Sequence, residues 1–222
     1  MEDIAPALLD AIRKDFRRIL GDAKLQQLTY LGAEEYAEAV GDALAQAFAL
    51  HISAESLPEG RLWWNIADRV IRPMLEEDHK LVADASVEVQ QALNKAAGLG
   101  LKAQRAPLNE DKVIGILNKI AVAEDFATVA WVLDEPIKTF SRSVADETLQ
   151  RNVAFQGKAG LKPRVIRTAE SHCCKWCSNL AGVYEYPDVP KDVYRRHERC
   201  RCRVEYDPGS GHKQNVWTKK WK

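Results

Sequence analysis

All five cysteines of this 222-residue chain lie between positions 173 and 202. Three fall in "CCKWCSNLAG", Cys173 to Gly182, and two in "RRHERCRC", beside His197. The constraint they impose is therefore local to the last quarter. Cys174 and Cys177 form a C-x-x-C pair, a turn short enough for two thiolates to reach one ion. His197, Cys200 and Cys202 follow as H-x-x-C-x-C. If Cys200 begins a strand, it shares a face with Cys202, because strand side chains alternate with period two. A structural zinc takes four tetrahedral ligands, commonly thiolates mixed with an imidazole. Five candidates compete for four places, and Cys173, four residues before Cys177, is a sixth. The expectation is one zinc per chain, held by Cys174 and Cys177 with two of His197, Cys200 and Cys202.

Other chemistries fit the cysteines less well. Redox use of "CKWC" calls for a βαβ context, whereas the region before it reads as helix. A catalytic zinc keeps an open position and a general base nearby. The nucleobase-deaminase pattern places H-x-E ahead of P-C-x-x-C; here His197 and Glu198 are adjacent and come after the pair. Nothing in the spacing singles out Glu170 or Glu198 as a base. A closed, structural site is expected.

The first 157 residues read as a helical domain. Leu8, Ile12, Phe16 and Leu20 repeat at helical spacing, as do Tyr36, Val40, Leu44 and Phe48. Trp63, Ile66, Val70 and Met74 form a third stripe, in which Pro73 should kink or break the helix near Arg72. Gly98, Gly100 and Pro107 mark a connector, and Asn109 is an N-cap for a helix towards Ala123. A long helix is expected after Asp134, over "EPIKTFSRSVADETLQRNVAFQ", ending before Gly157. Trp63 and Trp64 read as core aromatics with one ring on the rim, His51 and His79 as solvated surface histidines, and "EEDHK" as a solvated face. No phosphate-loop, dinucleotide-binding or nucleophile-elbow motif occurs, so the helical part carries no catalytic signature.

Residues 158–208 change character. "RVIRTA", "VYEY" and "CRVEYD" alternate like short strands, and "VPKDVYRRH" can form about two helical turns. The fold class expected is mainly α: a helical amino-terminal domain followed by a small α+β module stapled by zinc. So small a module has little core of its own, and a metal would supply folding energy the short strands lack. The formal charge of zero divides unevenly, with a net +7 over residues 161–222 and −7 over the remainder. The acidic, amphipathic start does not resemble a secretory signal, and no segment has the roughly 20 apolar residues of a membrane span. A soluble protein made in a cytoplasm is expected.

The run "RVIRTAESHCCKWCSNLAGVYEY", followed by "RRHERCRCRVEY", resembles the carboxy-terminal module of Mu F-like minor head proteins, of the phage head morphogenesis group. The matching positions are Thr168, Cys174, Cys177, Leu180, Gly182, Tyr184, His197, Cys200, Arg201 and Cys202. The chain departs from that pattern at Cys173, where an acidic or small residue is usual, and at Glu198, where proline is. The resemblance covers roughly the last 60 residues. It implies a minor structural component of a phage or prophage head, present in the virion and, during assembly, in the host cytoplasm. The implied partners are the portal or major capsid protein, with packaged DNA as a further candidate contact, and no membrane or small-molecule substrate. No enzymatic activity is expected; a zinc-stapled nucleic-acid module or treble-clef-type nuclease is the alternative. The tail 209–222 carries Trp217, Lys219, Lys220 and Trp221, which read as a docking segment for such a partner: two aromatic rings four residues apart, with lysines between them.

Overall fold

A computed structural model of the chain describes residues 3–171, 173–197 and 199–209. Five long helices build the body: α1 (Ala5–Leu20), α2 (Tyr30–His51), α3 (Trp64–Ala96), α4 (Glu110–Ala121) and α5 (Glu135–Lys158). Four of the five starts have a local cause. The Thr29 hydroxyl accepts from the Gly32 amide at the head of α2, and the Asn109 side chain accepts from Lys112 at the head of α4. α1 and α5 carry proline in their first turn, where the missing amide is harmless. The periodic stripes then bury one face of each helix: Ile12 and Phe16, Val40, Leu44 and Phe48, Val70 and Met74 are wholly enclosed. With Leu117, Ile120, Ile137 and Phe140 they form the main apolar cluster.

Beyond α5 the chain forms β1 (Arg164–Thr168), a single helical turn and a half, α6 (Lys175–Asn179), then β2 (Gly182–Glu185) and β3 (Arg203–Asp207). The three strands make one antiparallel sheet in the order β2-β1-β3. The mainly helical fold with a small mixed module is as expected from sequence. A second apolar cluster joins the two parts: Tyr30 and Ala33 of α2, Val89 of α3, and Leu149 and Val153 of α5 pack with Val165, Val193, Tyr194 and Val204. The expected boundary at Gly157 falls in the last turn of α5, and this cluster spans it. Among the described residues, no helix is long and apolar enough to cross a membrane.

Several local expectations are corrected. α3 continues through Pro73 without a break, the flanking Ile71, Met74 and Leu75 being buried in the main cluster. Trp63 and Trp64 are 38% and 42% exposed; neither is a core aromatic, and the Arg61 guanidinium covers the Trp63 ring at 4.1 Å. His51 is partly buried, with Nε2 2.7 Å from Asp15. His79 is buried under the connector before α4, where Nε2 meets the Ala106 carbonyl at 3.1 Å, and burial lowers its pKa. "EEDHK" is not a solvated face, since Asp78 and His79 point inward and Glu77 pairs with Arg13 and Arg17.

Candidate metal centre

The C-x-x-C pair is shaped by α6. Cys174 is its N-cap, its sulfur accepting from the Cys177 amide at 3.4 Å, so the two thiols lie on one side of a tight knuckle. The second group of donors arrives on a turn. The Cys200 amide returns to the His197 carbonyl at 3.1 Å, and Arg199 adopts the left-handed φ of 58° that reverses the chain. Cys200 and Cys202 precede β3, which begins only at Arg203, so strand alternation does not place them together as expected. The turn and two buried arginines do so instead: Arg142 donates to the Cys200 carbonyl at 2.8 Å and Arg196 to that of Cys202 at 2.7 Å.

All five expected ligands converge. Cys177 is the hub, with His197 Nε2 3.1 Å from its sulfur and the Cys200 sulfur 3.7 Å away. His197 Nε2 also lies 3.3 Å from the Cys174 sulfur. Two triads result, Cys174–Cys177–His197 and Cys177–Cys200–Cys202, each with its donor atoms within 4.8 Å of one another. Cys177, Cys200 and Cys202 are buried, Cys174 is exposed, and Cys173 packs against the group from outside. Trp176 closes one flank, edge-on to the His197 ring at 5.9 Å between centroids. The donors are soft and gathered at short range, a set that can hold a metal ion. Backbone hydrogen bonding, chiefly from Cys177, holds the Cys174 thiol below its ordinary pKa, whereas burial pushes that of Cys177 up. A bound cation would reverse the second effect, because a coordinating thiol is deprotonated.

The charged surroundings of the cluster were not foreseen from sequence. Arg167, on β1, is 2% exposed, and its Nη2 lies 3.7 Å from the Cys177 sulfur and 3.6 Å from that of Cys200. Its Nη1 donates to the carbonyls of Val193 at 2.5 Å and Arg195 at 3.0 Å, and the guanidinium lies 5.5 Å from the Trp176 ring centre. The signal was present: Arg167 shares the inward face of β1 with Val165. Arg196 is clamped between Glu34 of α2, at 2.7 Å, and Asp146 of α5, at 2.5 and 3.0 Å. Burial raises the Glu34 pKa to about 7 against the pull of Arg196. Residues 210–222, with Trp217, Lys219, Lys220 and Trp221, lie outside the described residues. Comparison of the chain with protein-family models, with curated proteins and with solved structures found no match.

Proposed function

We propose that this chain is a minor head protein of a tailed phage or prophage, acting in head morphogenesis at the portal or inner capsid, with a structural zinc in its carboxy-terminal module. The observation that supports the reading most is the order and convergence of its donors. C-x-x-C and H-x-x-C-R-C, the pattern that resembles the Mu F-like module, lie about 20 residues apart in sequence, and their side chains meet around Cys177. Thiolate and imidazole donors, five of them for four tetrahedral positions, suit zinc, which when bound would cross-link the α6 knuckle to the turn before β3. The residues themselves do the rest. Cys177, Cys200 and Cys202 are closed off from water, Cys174 and His197 lie on the exposed side with Trp176 edge-on to the imidazole, and the flanking carbonyls are fixed by Arg142 and Arg196. The role is a rigid assembly surface rather than a reaction centre.

Protein purified without added metal should contain one zinc per chain; a ratio near zero with freely titratable thiols removes the metal from the proposal. For the assembly role, an amino-terminally tagged copy expressed in the phage-producing host should co-sediment with heads at a few copies per particle. A chain absent from heads and from every assembly intermediate overturns that role.

A further inference from the structure

We infer that Arg167 is the built-in counter-cation of the metal centre, and that it matches a ligand set of three thiolates and one neutral imidazole. The inference rests on the metal reading above. A guanidinium is always charged, and burying one without an anion is expensive. Arg167 is among the largest fully enclosed side chains of the molecule, yet no carboxylate among the described residues pairs with it. Its partners are two backbone carbonyls and two sulfurs, and its Nε has no hydrogen-bond partner among the described residues.

The neighbouring buried arginines are placed differently. Arg196 pairs with Glu34 and Asp146, and Arg142, which makes no ion pair among the described residues, donates to the Cys200 carbonyl and lies in the field of Glu34. Arg167 is left over, and the groups it touches that can carry negative charge are the sulfurs of Cys177 and Cys200.

The charge sum then discriminates between ligand sets. A dication with four thiolates carries −2, and Arg167 would leave −1 uncompensated. With three thiolates and a neutral imidazole the centre carries −1, and Arg167 brings it to zero. Buried charge is tolerated when it is paired, so the structure favours His197 as a ligand and one of the four clustered thiols as a bystander. Arg167 is thus a positioning residue: it donates to the sulfurs and lowers the energy of their anionic form. A purely structural strut would need only the two N–H bonds to Val193 and Arg195, which a neutral amide can also make.

The test uses the full chain with Zn²⁺ and Co²⁺ as probes, in wild type and the variants Arg167→Lys, Arg167→Gln and Arg167→Met. Thermal melts of the metal-free proteins establish which variants fold. Competition with a chelator then gives zinc affinity. The neutral variants that fold should bind about 10- to 100-fold more weakly, and Arg167→Lys, which restores the charge, should recover most of that loss. The sulfur-to-cobalt charge-transfer absorption of the wild type should correspond to three thiolates. Neutral variants within threefold of wild type, a lysine variant as weak as methionine, or a four-thiolate cobalt spectrum each overturn the inference. If no neutral variant folds, the cobalt spectrum and the lysine variant decide. Wild-type protein that takes up neither ion instead removes the metal reading on which the inference stands.

Discussion

Asp78 lies on α3 with no exposed surface; its Oδ2 accepts from the Ser141 hydroxyl at 2.5 Å and its Oδ1 has no partner among the described residues. Desolvation raises its pKa from 3.8 to about 7, with the serine bond pulling weakly the other way. A carboxyl raised in this way favours the fold only while protonated. Its penalty is absent below about pH 4, grows as pH climbs, and is complete above about 7. Asp78→Asn removes the charge while keeping a polar group beside Ser141. The stability advantage of the variant, from urea melts, should widen by roughly 2–3 kcal/mol between pH 5 and pH 8. An equal difference at both pH values would show that the carboxyl is not ionising in place. The sequence hid this residue because "EEDHK" has the composition of a surface run. α3 is packed on more than one side, by α2, α5 and the connector before α4, and a single-stripe reading of a helix allows for one buried face only. Arg167 was hidden for the opposite reason: its strand was legible, but its charge argued for solvent.

Gly41 sets how closely two helices approach. On α2, a β-carbon at this position would lie 2.9 Å from the Lys138 Cα and 2.7 Å from the Ser141 oxygen of α5. The first neighbour is backbone, so the helices would have to separate. Alanine is intrinsically the better helix former by about 1 kcal/mol, yet overpacking typically costs about 1–3 kcal/mol. Gly41→Ala should therefore lower stability in denaturant melts despite its propensity, and a more stable variant would contradict the tight crossing. The helices themselves were legible because apolar residues recur every three to four positions, and Asn109 caps α4 as its sequence suggests. The short elements of the module were legible only in part. "VPKDVYRRH" was expected to make about two turns but forms one 3₁₀ turn, Lys191–Tyr194. The Val193 carbonyl, which a longer helix would use internally, accepts from Arg167 instead, as does that of Arg195. Such a long-range competitor leaves no periodic trace in the local sequence.

Charge and composition divide the chain near residue 160, but the apolar cluster around Tyr30, Val89, Leu149, Val165 and Val204 does not respect that division. Nor does the buried Glu34–Arg196–Asp146 group, which ties α2 and α5 to the segment that carries His197. A pattern confined to one helix or strand is legible; a core assembled from six elements is not. Far-UV circular dichroism, which reports chiefly on the helices, should accordingly show one cooperative transition that zinc moves upward. A ligand that binds only the folded state adds about 2.7 kcal/mol at one hundred times its dissociation constant. Two separate transitions, with zinc shifting only the Trp176 signal, would show that body and module melt independently. A common core also links ion supply to degradation. Wherever protease cleavage waits on global opening, the population of the open chain sets its rate. Val89 of α3 belongs to the shared cluster, so a fall in free zinc should shorten the survival of a helix that contributes no ligand to the ion.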